Sequence, residues 1–142
     1  MKLRRIAILG EIGSGNLGDD YGYTLLRDHL LRVFDEFDIP VDIRPLTPGM
    51  FWQLDGYDWD AVATGCGTLL DLANGPYVQA LTKAAERFPV LSLGSGISDP
   101  RHMVPTKEGQ HIRQDISVTY NTSEDRAADV FRAFRGADIS AI

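Results

Sequence analysis

The sequence has little cysteine, a deficit of positive charge and no long apolar run, and each absence excludes a class of protein. Cys66 is the only cysteine among 142 residues, which excludes an internal disulfide and suits a reducing compartment. Fourteen Lys and Arg against 20 Asp and Glu give a net charge of −6, which disfavours binding to a nucleic-acid backbone. No apolar run approaches the ~18 residues of a membrane span. These features predict a cytoplasmic protein with no membrane span and no nucleic-acid partner.

Short apolar strands alternate with helical patterns along almost the whole chain. This alternation indicates a mostly parallel sheet covered by helices on both faces. We therefore predict a single α/β domain over residues 1–142, with a three-layer, Rossmann-like sheet of about five to six strands. Strands are predicted at residues 4–10, 41–46, 59–65, 89–96, 115–121 and 137–142. Helices are predicted at residues 20–37, 76–88 and 123–135, and a polar loop at residues 97–114.

Glycine-rich segments follow three of the predicted strands. Ligands of open parallel sheets bind outside the carboxyl ends of the strands, and glycine lets the backbone approach a ligand closely. The three segments together predict one backbone-lined cleft, while the structural alternative is that each glycine only serves a tight turn. The candidate binding residues are Gly13, Ser14, Gly15, Asn16, Gly18 and Asp19 in the first segment, Gly65, Gly67 and Thr68 in the second, and Gly94, Gly96 and Arg101 in the third.

Residues 13–18 match the G-x-G-x-x-G pattern of dinucleotide-binding loops. Such a site needs a helix that begins inside the motif and an acidic residue at the end of the second strand. We expect the helix to begin after the motif, with Asp19 or Asp20 as its N-cap. The second strand ends in RPLT, residues 44–47, without a carboxylate. A nucleotide-dependent oxidoreductase is therefore only a third hypothesis, and no cofactor is expected.

The two adjacent carboxylates have a structural and a functional interpretation. One of Asp19 and Asp20 caps the helix, and the other faces the cleft and accepts a hydrogen bond from a sugar hydroxyl. His102, beside Arg101, is the candidate general acid or base. Cys66 is interpreted as a small buried residue rather than a nucleophile, and no spacing of His, Cys and Asp predicts a metal site.

The segment GSGNLGDD, residues 13–20, leads into an amphipathic helix and resembles the N-terminal motif of the polysaccharide pyruvyl transferase family. The resemblance continues in the same order in YDWDAVATGCGTLLD, residues 57–71, and in PVLSLGSGISDP, residues 89–100. Members of this family have a two-domain architecture like that of glycosyltransferase-B enzymes. They transfer a pyruvyl group from phosphoenolpyruvate to sugar hydroxyls as a ketal, without an obligatory metal.

The resemblance spans nearly all of residues 5–140 and implies one Rossmann-like half of a glycosyltransferase-B-like fold. It implies a transferase of cell-surface polysaccharide biosynthesis, with phosphoenolpyruvate and a sugar or glycan acceptor as partners. Within this hypothesis Asp19 or Asp20 orients the acceptor hydroxyl, and the candidate catalytic residues are Asp20 and His102. The chain departs from the family at Thr119, where an Arg is typical, and at Cys66. The family's second domain is not in this sequence, so we expect catalysis to need that domain or a homo-oligomer partner. The alternative is a non-catalytic α/β module that binds a sugar or an anion.

Overall fold

The computed structural model describes residues 1–65, 75–93, 132, 136, 137 and 139–141. All structural statements below refer to these residues. The strands are β1 (Arg4–Leu9), β2 (Val41–Leu46), β3 (Ala61–Gly65), β4 (Val90–Leu93) and β5 (Ser140–Ala141). The helices are α1 (Leu17–Glu36), α2 (Gln53–Gly56) and α3 (Pro76–Ala85), with one 3-10 turn at Pro48–Met50.

The strands form one parallel sheet in the order β2-β1-β3-β4-β5. The predicted α/β class with a parallel sheet is therefore confirmed. Within the described part of the chain, four strands of four to six residues form the body of the sheet, and β5 adds two residues at its edge. The strand predicted at residues 115–121, the loop at 97–114 and the helix at 123–135 lie outside the described residues, except that Arg132 is helical.

Helices cover both faces of the sheet because the side chains of each buried strand alternate between the two faces. Along β1, Ile6 and Ile8 point to the face covered by α1, whereas Ala7 and Leu9 point to the face covered by α3. The residues of α1 that pack on the first face are Tyr23, Leu26, Leu30 and Phe34. The residues of α3 that are buried on the second face are Tyr77, Val78, Leu81 and Ala84.

Two local features differ from the predicted pattern. Phe37, the last residue of the predicted first helix, is 67% exposed, because α1 ends at Glu36 and Phe37 is its C-cap. No element is predicted from the sequence between β2 and β3, where the structure has the 3-10 turn and α2. The indole Nε1 of Trp59 anchors α2 by donating to the carbonyl oxygen of Gln53 at 3.1 Å.

The topology puts the first glycine segment at the point where the strand order reverses. From β1 the chain crosses to β2 on one side, whereas β3 is followed by β4 and β5 on the other side. The helices that follow β1 and β3, α1 and α3, therefore cover opposite faces. The reversal therefore lies at the carboxyl ends of β1 and β3, where open α/β sheets bind ligands in a crevice.

Candidate functional site

The loop of residues 10–16 joins β1 to α1 at this crevice. The backbone N–H of Gly10 donates to the carbonyl oxygen of Leu46 at 3.1 Å, so the loop leaves the sheet in register with β2. Gly13 and Gly15 have φ angles of +79° and +88°. Side chains rarely tolerate this left-handed backbone, so the loop conformation itself selects glycine at both positions.

Asn16 is the N-cap of α1, and the prediction that Asp19 or Asp20 fills this role is wrong. The backbone of Asn16 is extended, and its Oδ1 accepts from the backbone N–H of Gly18 at 3.1 Å. Its carbonyl oxygen accepts from the N–H groups of Asp19 and Asp20, each at 3.1 Å. An asparagine in this conformation satisfies the first orphan donors of a helix, so α1 begins three residues earlier than expected.

Because α1 starts earlier than predicted, one of the two requirements of a dinucleotide site is met. The helix now begins within residues 13–18, as a pyrophosphate-binding loop requires. The second requirement is still unmet, because β2 ends at Leu46 and the nearest carboxylate in that strand, Asp42, is paired with Arg44 at 2.8 Å. Asp19 and Asp20 in the first turn of α1 also repel a phosphate at this helix end.

Hydrogen bonds within the loop use several of the candidate binding groups. The Oδ1 of Asp20 accepts from the backbone N–H of Gly13 at 2.6 Å, which ties the loop to the first turn of α1. The Nδ2 of Asn16 donates to Oδ2 of Asp19 at 2.7 Å, and the Oγ of Ser14 donates to the carbonyl oxygen of Glu11 at 2.8 Å. These hydrogen bonds brace the loop from within.

The electrostatic environment of the loop is negative. Burial raises the pKa of the Asp19 carboxyl most, the neighbouring charges of Glu11 and Asp20 raise it further, and the hydrogen bond from Asn16 lowers it. Three carboxylates, those of Glu11, Asp19 and Asp20, lie near the start of α1, and their charge disfavours the binding of an anion there. This end of α1 is better suited to a ligand that donates hydrogen bonds, such as a hydroxyl.

Two residues that the sequence argument did not select also lie at the crevice. Glu11 follows directly on the buried end of β1, and Tyr77 is the second residue of α3. Both Glu11 and Asp19 raise the pKa of the Tyr77 hydroxyl, after burial as the main cause, so the three groups lie close together. Their positions directly after the first strand and at the start of the α3 helix are the only signals that the sequence carries for them.

Gly65, predicted to bind substrate, has a structural requirement of its own. It ends β3, and a Cβ at this position would lie 2.6 Å from the carbonyl oxygen of Leu93 on β4. Glycine is therefore needed here for the close approach of two strands. The other candidates beyond β3 and β4 lie outside the described residues, and their roles stay predictions: Cys66, Gly67, Thr68, Gly94, Gly96, Arg101 and His102.

A separate groove of about 370 Å³ lies between α2 and α3. Phe51, the exposed Trp52 and Phe88 contribute to its lining, and Lys83 and Asp55 at its rim form an ion pair at 2.6 Å. None of the candidate residues from the sequence lines it. We place the functional site at the crevice because the carboxylates, the glycine loop with its two positive φ angles and the strand-order reversal meet there.

Comparisons with protein-family models, with curated proteins and with solved structures find no match to this chain. Within the described part of the chain, no three His, Cys, Asp or Glu side chains are arranged to hold a metal ion. Likewise, no helix there is both long enough and apolar enough to cross a membrane. The interpretation of the site therefore rests on its own geometry and charge.

Proposed function

We propose that the chain forms the acceptor-binding half of a pyruvyl-transferase-like enzyme. In this proposal it is the Rossmann-like half of a glycosyltransferase-B-like fold. The crevice between α1 and α3 binds a sugar or glycan, and one carboxylate orients the hydroxyl that receives the pyruvyl ketal. The observation that carries the proposal is the cluster of Glu11, Asp19 and Asp20 at a braced loop on the carboxyl edge of a parallel sheet.

The charge of this cluster favours the acceptor over the donor. A sugar hydroxyl donates to a carboxylate, and such hydrogen bonds to a charged acceptor are among the stronger ones in proteins. Phosphoenolpyruvate carries a phosphate and a carboxylate, both of which are repelled by Glu11 and Asp19. In the proposal, cations bind the donor from elsewhere: Arg101 and His102 in this chain, and a second domain or partner subunit.

The two carboxylates of the first turn have different roles in this proposal. Asp20 accepts from the backbone of Gly13 and therefore holds the loop in shape. Asp19 is only partly buried and accepts from the Asn16 side chain through one oxygen, Oδ2. We assign the orientation of the acceptor hydroxyl to Asp19 and the bracing of the loop to Asp20.

The proposal is tested by titrating the purified chain separately with neutral methyl glycosides and with phosphoenolpyruvate while following backbone amide NMR signals. We expect glycosides to shift the amides of residues 11–20 and phosphoenolpyruvate to leave them unchanged. Asp19→Asn should weaken glycoside binding about tenfold, the loss expected for one charge-assisted hydrogen bond. Asp28→Asn is the matched control, because Asp28 is an exposed carboxylate of the same helix that forms an ion pair with Arg27 at 3.7 Å.

Two results would contradict the acceptor assignment. One is binding of phosphoenolpyruvate at residues 11–20 while every glycoside leaves their signals unchanged. The other is retention of a flavin or quenching of NADH fluorescence by the chain, which would support the oxidoreductase hypothesis. The equal loss of glycoside affinity in Asp19→Asn and Asp28→Asn would remove the specific role of Asp19.

A non-catalytic sugar-binding module is the second candidate, and the bracing of the loop favours it. Asp20, the predicted catalytic carboxylate, is committed to the Gly13 backbone in the structure. A module of this kind binds glycosides at the same amides but releases no inorganic phosphate from phosphoenolpyruvate with any acceptor. Phosphate release that requires both phosphoenolpyruvate and a glycan would instead support the transferase.

A further inference from the structure

The groove between α2 and α3 has the size and the aromatic lining of a small-molecule site. Its volume of about 370 Å³ lies within the range of ~300–1,000 Å³ that is usual for ligand clefts. Phe51, Trp52 and Phe88 contribute aromatic surface to its lining. The indole of Trp52 is 65% exposed, although tryptophan is on average a highly buried residue. The core of the chain therefore leaves a large aromatic surface open to solvent in this groove.

Side chains of α3 hold α2 in place, so the two walls of the groove have a defined spacing. The Nζ of Lys83 donates to Oδ2 of Asp55 at 2.6 Å. The Nη1 of Arg87 donates to two carbonyl oxygens of α2, at 3.3 and 3.4 Å. The ring of Phe51 packs edge-on against the buried ring of Tyr77, with 5.3 Å between the ring centroids. A ligand can enter a groove built in this way without the cost of ordering it first.

The charge of the groove is opposite to that of the whole chain. Its lining contains two cations, Lys83 and Arg87, and one carboxylate, Asp55, whereas the chain has a net charge of −6. Since Asp55 is paired with Lys83, the charge of Arg87 remains. Its Nη2 approaches Oδ1 of Asp58 only to 4.0 Å, beyond hydrogen-bond distance, and the Asp58 side chain is 95% exposed. The guanidinium lies 4.8 Å from the ring centroid of Phe88, so this cation borders the aromatic surface.

We propose that this groove binds a small aromatic carboxylate. The ligand ring packs on Phe51 and Trp52, and the carboxylate accepts a hydrogen bond from Nη2 of Arg87. A guanidinium is well suited to this role, because it is weakly hydrated and matches the geometry of a carboxylate. A cationic ligand is repelled by Arg87, and a neutral one leaves its charge unmatched. None of the three carboxylates near the start of α1 lines the groove, so this second site does not depend on the proposed function.

The test titrates the full chain with phenylacetate and, separately, with phenylacetamide, an uncharged ligand of nearly the same shape, while following backbone amide NMR signals. We expect both ligands to shift the amides of residues 51–55 and 79–88. Phenylacetate should bind about tenfold more tightly, because only its hydrogen bond to the guanidinium joins two charged groups. The amides of residues 11–20 should not move, so the result is separate from that of the glycoside titration.

Arg87→Gln tests the anion contact. Its phenylacetate affinity should fall about tenfold while its phenylacetamide affinity stays nearly unchanged, so the preference for the charged ligand is lost. Equal losses for the two ligands would mean that Arg87 only holds α2 in place, and would overturn its role in binding. Arg44→Gln is the matched control and should change neither affinity. Arg44 also pairs with a carboxylate and lies over an aromatic ring, that of Tyr57 at 5.9 Å, but it does not line the groove.

Trp52→Ala tests the aromatic contact. Both ligands should lose affinity several-fold and to the same extent, because the variant removes ring surface and no charge. The fold should be retained, since the indole is largely exposed. Phe37→Ala is the control, because Phe37 is an aromatic residue of similar exposure, 67%, outside the groove. It should leave both affinities unchanged, and an equal effect of the two alanine variants would contradict the placement of the ligand ring.

Three results with the unsubstituted chain would overturn the inference. Equal affinity for phenylacetate and phenylacetamide would remove the selection for an anion. The absence of shifts at residues 51–55 and 79–88 with millimolar phenylacetate would remove the site. Binding of a peptide that ends in phenylalanine, with no binding of phenylacetate, would assign the groove to a protein partner. Glycoside binding at residues 11–20 is unaffected by any of these results, so the proposed function stands or falls separately.

Discussion

The two long helices, α1 and α3, cover opposite faces of one sheet, but different interactions hold them in place. α3 has ten residues, four of which are buried, and its N-cap is Gly75, which has no side chain to cap the helix. α1 has twenty residues, of which only Gly22 is buried, and its start is capped by Asn16 and carries two acidic residues. α3 is held mainly by tertiary packing, whereas α1 depends more on local interactions at its first turn.

The two helices therefore contribute differently: α3 contributes more to the stability of the core, and the start of α1 contributes more to ligand binding. The α3 face contains the larger buried cluster, to which Leu9, Leu46 and Leu81 contribute with no exposed surface. The α1 face has a smaller cluster, and Leu17, Tyr21 and Leu25 are exposed along one side of the helix. We infer that the α3 side supplies a rigid wall, and that the start of α1 presents polar groups whose arrangement serves ligand binding.

The largest expected effect is a loss of stability when the packing of α3 is disrupted. Leu81→Ala removes a fully buried side chain and should lower the free energy of unfolding by about 2–5 kcal/mol. Leu30→Ala is the matched change on α1, where the leucine is only partly buried, and should cost about 1 kcal/mol. Urea unfolding of both variants measures the difference, and equal losses would contradict the contrast between the helices.

A smaller effect tests the local stabilisation of α1. Asn16→Ala removes the side-chain acceptor for the Gly18 N–H and should destabilise the protein by about 1 kcal/mol. Asn16→Ser is the control, because serine is an equally good N-cap and should retain most of the stability. If alanine at this position unfolds at the same denaturant concentration as asparagine, the cap contributes nothing and α1 is held by packing alone.

The smallest effect concerns the charge of Asp19. Its pKa is raised in the folded protein, first by burial and then by Glu11 and Asp20, so ionisation of Asp19 disfavours the folded state. At pH values above the folded pKa of Asp19, the Asp19→Asn variant should therefore unfold at a slightly higher temperature than the unsubstituted chain. This gain should shrink as the pH falls and vanish below the unfolded value of 3.8, where Asp19 is protonated in both states.

Thermal unfolding of Asp19→Asn and of the unsubstituted chain from pH 8 to pH 3 measures this dependence. A gain in stability at neutral pH together with weaker glycoside binding would identify Asp19 as a carboxylate kept for binding at a cost in stability. A loss of stability at neutral pH that is independent of pH would show that its hydrogen bond with Asn16 outweighs the charge repulsion.

Much of the fold could be predicted from the sequence because short-range patterns encode it. The apolar runs of β1 and β2 begin at the predicted residues, and Pro76 starts α3 as expected of a proline in the first helical turn. The start of α1 could not be predicted in this way, since Asn16, Asp19 and Asp20 are all good N-caps. The choice among them follows from the backbone, which Gly13 and Gly15 turn into a left-handed conformation just before Asn16.

Part of the candidate site could also be predicted from the sequence, and part could not. The glycine-rich loop and its carboxylates are visible in the sequence, because glycine and acidic residues cluster within residues 10–20. The nearness of Tyr77 to this loop is not visible in the sequence, because more than fifty residues separate the two.

The sequence by itself determined the alternation of strands and helices, the glycine loop and the negative charge, because these depend on residues close together in the chain. Only the tertiary structure decided that Glu11 and Tyr77 lie close together and that Asp20 braces the loop. Parallel strands place the ends of distant segments at one edge of the sheet, and the reversal between β1 and β3 sends their helices to opposite faces. The candidate site at this reversal is therefore formed by segments that are distant in the sequence, and no single segment contains it.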